Sequence, residues 1–144
     1  MSDASDAEIV FVKFEDICEI HDLALEQFGE GAPGFVDEHA VRSAAAQAEA
    51  SVFGQYLHEF PAGMAAAYLF FLTRQQGFVQ GNKRTAVGTA LTFLAQNGFD
   101  LDASPLEVFD VTRRLASEDD PRPYKLLLGE LTDWFEAHIV PLSD

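Results

Sequence analysis

The spacing of apolar positions along the chain predicts a succession of helices. Residues 14–28 place apolar side chains three or four positions apart, which indicates an amphipathic helix with Gly29 as its stop. Asp37 is a typical N-cap for a second, alanine-rich helix that runs to about Ala50. Residues 51–60 show no clear period, so we expect a loop or flap there.

The second half of the chain continues as helices. Residues 62–75 are apolar on nearly every face, which predicts a central, wholly buried helix. After a polar break at 76–81, helical spacing resumes over 82–96. Residues 104–107 have the form of a capping box that opens a helix to Ala116. A last helix carries the apolar residues Leu127, Leu131, Trp134, Phe135 and Ile139.

Composition and charge narrow the class of protein. The 24 acidic residues against 9 basic ones give a net charge of -15, which disfavours binding to nucleic acids and to anionic membrane surfaces. The most apolar run, 62–72, is shorter than the ~20 residues that cross a bilayer. Residues 1–8 are polar and acidic, unlike a secretory signal, and the lone Cys18 is typical of a reducing compartment. We therefore expect a cytoplasmic, all-α protein with a single domain over 1–144.

Two cations open the helix predicted at 82–96. Lys83 and Arg84 lie in its first turn, where the helix dipole is already positive and each cation costs about 0.3–1 kcal/mol. A bound anion would reverse the sign of that cost. Gly81 allows close backbone approach, and the N–H groups of residues 82–85 point out of the helix end. These features predict a phosphate site, and the alternative is that both cations pair with surplus carboxylates.

The polar break also carries a motif with a known counterpart. The signature of the death-on-curing branch of the Fic/Doc family, usually written HPFxDGNKRTA, resembles the segment Gln76-Gly77-Phe78-Val79-Gln80-Gly81-Asn82-Lys83-Arg84-Thr85-Ala86. The resemblance extends over about 11–101. It includes Ile20-His21-Asp22, the glycine-rich turn through 33–37 and the segment 93–98.

The resemblance implies a compact helical fold in which the motif loop and the following helix end hold nucleotide phosphates. Phe78 would anchor the loop in the core, and Gly81 would form part of the anion hole. Asn82 would contact phosphate or its metal, and Lys83 and Arg84 would hold phosphate oxygens. Doc-type members are toxins that use ATP and Mg²⁺ to phosphorylate a threonine of elongation factor Tu. An antitoxin peptide segment restrains them, whereas Fic relatives transfer AMP to a hydroxyl.

Two of the positions that depart from the signature concern the chemistry. Gln76 stands where the family has its histidine base, and an amide has no nitrogen that titrates near neutral pH. Gln80 stands where the family has an acidic metal ligand, and a neutral carbonyl is a poorer ligand for a hard dication. We therefore expect transferase activity to be weak. His58 and Glu59, in the predicted flap, are candidate replacements for the base.

Three hypotheses remain open from the sequence. In the first, the chain is a Doc-like toxin component that phosphorylates a protein hydroxyl slowly. In the second, it is a catalytically inactive Fic-fold module that binds nucleotide or protein. In the third, it is a helical domain with a salt-bridged turn at 81–84. An antitoxin tail would fold onto an exposed apolar surface, and the acidic chain favours a tail with basic side chains. Candidate residues for that surface are Phe53, Tyr56, Leu57 and Phe60.

Overall fold

The computed structural model describes residues 9–28, 31–117 and 119–143. The described residues form α1 (Phe14–Phe28), α2 (Glu38–Ala46), β1 (Ser51–Val52), β2 (Gln55–Tyr56), α3 (Ala62–Gln75), α4 (Asn82–Gln96), β3 (Phe99–Leu101), α5 (Pro105–Ala116), α6 (Tyr124–His138) and β4 (Ile139–Pro141). This mostly helical architecture, with strands of only two or three residues, confirms the predicted all-α class. The predictions for residues 1–8 and for Gly29 lie outside the described residues.

Helix α3 lies at the centre of the fold, as its apolar sequence predicted. Ala62 to Phe70 are buried without interruption, and α3 packs against α2, α4, α5 and α6. Each large apolar side chain that is fully buried contributes about 1.5–3 kcal/mol to stability. Small residues of α3 let the chain before it approach closely, since a Cβ on Gly63 would lie 3.3 Å from the backbone of His58. In the described ranges, no helix has the length and apolar character needed to cross a membrane.

Two helices begin with the side-chain caps that the sequence predicted. Asp37 Oδ1 accepts a hydrogen bond from the backbone N–H of Ala40 at 3.1 Å and starts α2. At the start of α5, Ser104 Oγ accepts the Glu107 N–H at 3.2 Å, and Glu107 Oε1 accepts the Ser104 N–H at 2.9 Å. This reciprocal pair is a complete capping box.

Two helices end earlier than predicted. Helix α2 ends at Ala46, and the chain tightens into a 3-10 turn over Gln47–Glu49 instead of continuing to Ala50. Helix α6 ends at His138, because Ile139 takes an extended conformation and pairs with Leu101.

Two short antiparallel ribbons were missed by the sequence prediction. The segment 51–60, predicted as a loop, contains the hairpin of β1 and β2. It turns at Phe53 and Gly54, whose φ angles of +52° and +80° match a type I′ turn. The second ribbon pairs β3 with β4, with Asp100 opposite Val140. Strands of two or three residues hold too few positions for an alternating pattern to be recognised.

Helix α1 packs across α4 and forms one wall beside the motif loop. Gly88 of α4 permits this close packing, since a Cβ there would lie 2.7 Å from Cγ2 of Ile20. The loop over residues 76–81 connects α3 to α4, so it is held between two helices of the core.

Candidate functional site

The motif loop begins with a strained backbone at Gln76. This residue ends α3 with φ +49° and ψ +44°, the left-handed region that residues other than glycine adopt rarely. The left-handed turn redirects the chain at the end of α3 and leaves the Gln76 side chain exposed.

Gly77 fixes the loop against the chain that precedes α2. A Cβ on Gly77 would lie 2.5 Å from Cγ2 of Val41 and 2.8 Å from the carbonyl oxygen of Asp37, so no larger residue fits. The Gly77 carbonyl accepts the backbone N–H of Asp37 at 3.0 Å, and the Val79 N–H donates to the Gly34 carbonyl at 3.0 Å. On both sides of Phe78, the loop therefore pairs with the segment 34–37, which precedes α2.

Phe78 and His21 form the buried floor of the loop. The Phe78 side chain is 3% exposed and stacks on Phe35, with ring centroids 5.2 Å apart. The His21 imidazole is also 3% exposed and stacks on Phe78, with ring centroids 3.8 Å apart. Its Nε2 is 2.7 Å from the backbone oxygen of Gln80, and a carbonyl only accepts, so Nε2 carries the proton. His21 thus has a structural role in the core, on a helix outside the motif.

The polar side chains of the motif also brace the loop. Asn82 Oδ1 accepts the Phe78 N–H at 2.9 Å, and Asn82 Nδ2 donates to the Phe78 carbonyl at 2.9 Å. Gln80 Oε1 accepts the backbone N–H of Ala32 at 2.6 Å. Gly81 caps α4 with φ +83°, a conformation that favours glycine. These contacts hold the start of α4 in a fixed position.

Two clefts flank the start of α4, each with a volume of about 310 Å³. We call the first the Lys83 cleft, and its lining includes Thr73, Gln76, Asn82, Lys83, Ser117 and Asp119. We call the second the Arg84 cleft, which is lined by Ala24, Leu25, Gly31, Gln80, Gly81 and Arg84. The predicted site residues therefore meet at one helix end, but Lys83 and Arg84 line different clefts.

The first turn of α4 contains two cations and no acidic residue. The Thr85 N–H donates to the Gly81 carbonyl at 2.9 Å, so the i to i−4 bonding of α4 starts at Thr85. This corrects the sequence expectation, which counted the Thr85 N–H among those pointing out of the helix. The dipole of α4 still places partial positive charge beside Lys83 and Arg84.

Lys83 differs from several arginines of the chain in its surroundings. Arg42 pairs with Glu38 at 3.0 Å, and Arg122 with Glu130 at 2.7 Å. No carboxylate among the described residues lies within ion-pair distance of the exposed Lys83, even though Asp119 lines its cleft. For Lys83, the described part of the chain thus offers no salt bridge of the kind that the alternative hypothesis required.

The sequence prediction missed three contributors to the Lys83 cleft, which are Thr73, Ser117 and Asp119. Thr73 is 7% exposed, and its Oγ1 finds no hydrogen-bond partner among the described residues. Arg74 donates from a terminal guanidinium nitrogen to the Ser117 carbonyl at 3.0 Å, which holds Ser117 beside α3. Only the tertiary fold brings these segments together, so no local sequence pattern could have identified them.

His58 and Glu59 do not line either cleft. His58 is half-buried, with its ring 6.4 Å from that of Phe71, and burial lowers the pKa of its imidazole. Glu59 is exposed. The structure therefore does not bring either proposed replacement base beside Gln76.

The four aromatic and apolar residues expected to form a docking surface divide into two groups. Phe53, Tyr56 and Leu57 are exposed on the hairpin of β1 and β2, with Phe53 wholly accessible. Phe60 instead packs edge-on against Phe93, with ring centroids 6.2 Å apart. An apolar surface therefore exists at the hairpin, and it excludes Phe60.

Comparison with known proteins agrees with the motif loop and the helical architecture. The model of the Fic/DOC family matches residues 11–94, and the chain belongs to this family. The chain is 32% identical over 98 residues to "Protein kinase doc" of Escherichia phage P1, which supports the death-on-curing branch. That alignment covers 68% of this chain and 75% of the phage protein.

Proposed function

We propose that this chain is a Doc-like toxin component of a toxin–antitoxin module that acts in the cytoplasm. Its substrate would be ATP, whose terminal phosphate is transferred slowly to a protein hydroxyl such as that of a threonine on elongation factor Tu. The observation that carries the proposal is the start of α4, where an exposed Lys83 in the first turn lines a cleft without a described carboxylate partner.

The Lys83 cleft has the groups that bind phosphate. A helix N-terminus offers backbone N–H groups and partial positive charge, and a lysine adds a point charge. The buried Thr73 hydroxyl has no described partner, and a buried hydroxyl without a hydrogen bond costs about 1–3 kcal/mol. A phosphate oxygen could satisfy this hydroxyl as well as Lys83.

The same cleft lacks the base of the family mechanism. In phosphate transfer, the hydroxyl oxygen attacks the terminal phosphorus, the bond to the ADP oxygen breaks, and the hydroxyl proton must go to a base. Gln76 can orient the hydroxyl but cannot accept its proton. Loss of a general base typically lowers the rate by about 10²–10⁴-fold. We therefore expect slow transfer with phosphate binding retained.

A second candidate function is a catalytically inactive module that binds nucleotide or protein. The bracing of the loop favours it, because Phe78, Asn82 and Gln80 hold the phosphate-facing scaffold although both chemical positions carry amides. The two candidates share the site and differ only in whether transfer occurs.

The proposed partner is an antitoxin segment that binds the exposed apolar hairpin. Phe53, Tyr56 and Leu57 would contact it, and the net charge of -15 favours a segment with basic side chains. A pull-down with the product of the neighbouring reading frame tests this partner. Phe53→Ser should weaken the capture, and unchanged capture would exclude the hairpin.

Incubation with γ-labelled ATP and elongation factor Tu tests the transferase proposal. The parent should label the factor slowly, and Gln76→His, alone or with Gln80→Asp, should accelerate labelling by about 10²-fold or more. Adding Lys83→Ala to the accelerated variant should reduce labelling again. If the parent labels the factor as fast as the repaired variants, Gln76 does not limit the chemistry. If no variant labels it while ATP still binds, the inactive module is the correct function.

A further inference from the structure

The Gln80 side chain is part of the internal bonding of the motif loop. Its Oε1 accepts the Ala32 N–H at 2.6 Å, and its backbone oxygen lies 2.7 Å from Nε2 of His21. Gly31 packs against the same side chain, since a Cβ on Gly31 would lie 3.0 Å from Gln80 Oε1. The carboxamide at the position of the family's acidic ligand therefore ties the motif loop to the segment that precedes α2.

At Gln80, the position of the family's acidic ligand, the described lining of the Arg84 cleft offers Mg²⁺ no carboxylate. Magnesium prefers octahedral oxygen ligands and is usually held by one or two carboxylates together with substrate phosphates. Among the described residues, none that lines the Arg84 cleft is a carboxylate, and Asp119 is the one carboxylate that lines the Lys83 cleft. Elsewhere in the described ranges, no group of three His, Cys, Asp or Glu side chains could hold a metal ion. The described residues around Gln80 therefore do not fit the metal that the family implies.

The charge of the site also differs from that of a metal-dependent one. The first turn of α4 holds Lys83 and Arg84 and no acidic residue. A carboxylate at position 80 would add a negative charge that a dication offsets when phosphate binds. With the neutral Gln80, the dipole of the helix end and the charge of Lys83 offset the phosphate charge directly.

We propose that the start of α4 binds phosphate groups without a divalent cation, and that Gln80 acts as a brace of the loop. This inference rests on the proposed phosphate site and concerns how that site is charged. The ligand class is a phosphate anion, either the polyphosphate of a nucleotide or free inorganic phosphate.

Calorimetric titrations with ATP and with inorganic phosphate, each in millimolar Mg²⁺ and in excess chelator at constant ionic strength, test the proposal. The parent should bind ATP at least as tightly in chelator as in Mg²⁺. The matched variant is Gln80→Glu, which keeps an oxygen acceptor for the Ala32 N–H and adds one charge. Its affinity should fall by about tenfold in chelator and recover when Mg²⁺ is restored. The titration with inorganic phosphate distinguishes the two ligand sources, nucleotide polyphosphate and free phosphate. A site for free phosphate should bind inorganic phosphate as tightly as it binds ATP.

Parent binding that weakens tenfold or more in chelator would overturn the metal-free proposal and leave the phosphate site standing. Absence of binding in both conditions would overturn the phosphate site itself and this inference with it. Titration of Mg²⁺ alone supplies a readout that is independent of the nucleotide. Heat of Mg²⁺ binding to the parent, abolished in Gln80→Ala, would show that Gln80 is a metal ligand and contradict its role as a brace.

Discussion

The imidazole of His21 lies nearly parallel to the ring of Phe78, with centroids 3.8 Å apart and an interplanar angle of 11°. The same imidazole donates to the backbone oxygen of Gln80 at 2.7 Å. A single side chain of α1 therefore holds two positions of the motif loop, one through its ring face and one through its ring nitrogen. The loop depends on a residue that lies about sixty positions earlier in the sequence.

Substitutions at His21 should separate these two contacts. His21→Phe keeps an aromatic ring against Phe78 but leaves the Gln80 carbonyl without its donor, so we expect a loss of about 1–3 kcal/mol in the free energy of unfolding. His21→Ala also removes the stacked ring and should cost more, about 3–5 kcal/mol. Urea unfolding of both variants measures the difference. Equal stability of the two variants would show that the stacked ring contributes nothing.

Gly77 and Gly129 provide a matched pair of glycine-to-alanine changes. Gly77→Ala places a Cβ against Val41 and the backbone of Asp37, and such overpacking should cost about 1–3 kcal/mol. Gly129 lies in α6 with open space at its Cβ position, so Gly129→Ala should stabilise the protein by about 0.5–1 kcal/mol. The midpoint temperature of thermal unfolding should fall for Gly77→Ala and rise for Gly129→Ala. A shift in the same direction would contradict the packing described for Gly77.

The stability of the protein should depend on the protonation of His58. Burial lowers the pKa of His58 in the folded state, so the unfolded chain binds a proton at a higher pH than the folded chain does. The stabilising contribution is therefore present above the unfolded pKa of about 6.5 and is lost as the pH falls through the lower folded pKa. Urea unfolding between neutral pH and pH ~5 should show a smaller loss of stability in His58→Gln than in the parent. If the stability of the parent and of His58→Gln depends on pH in the same way, the protonation of His58 is not the origin of the pH dependence.

The long helices could be predicted because their apolar periodicity extends over three or four turns. The limits of α1 and α4 agree with the sequence prediction, and Asp37 and Ser104 cap the helices that they were expected to cap. The ribbons could not be predicted in this way, because β1 and β2 have two residues each. A helix end such as Ile139 was missed because pairing with β3 overrides its local preference.

The candidate site could be predicted only where it is contiguous in sequence. Gln76, Phe78 and the start of α4 were found as one motif. Thr73 and Asp119 were missed, because only the fold brings Ser117 and Asp119 beside the end of α3. The division of Lys83 and Arg84 between two clefts was also not predictable, because it depends on how α4 is packed between α1 and α5.

Calorimetric titration of ATP into the parent, Lys83→Ala and Lys125→Ala tests the phosphate site most directly. Both lysines are exposed and lie in the first turn of a helix, so each substitution removes the same charge from a similar position. Of these two lysines, only Lys83 lines the cleft at the start of α4. We predict that Lys83→Ala weakens ATP binding by about tenfold or more while Lys125→Ala stays within about twofold of the parent. Equal affinity in all three proteins would contradict a phosphate site at this helix end.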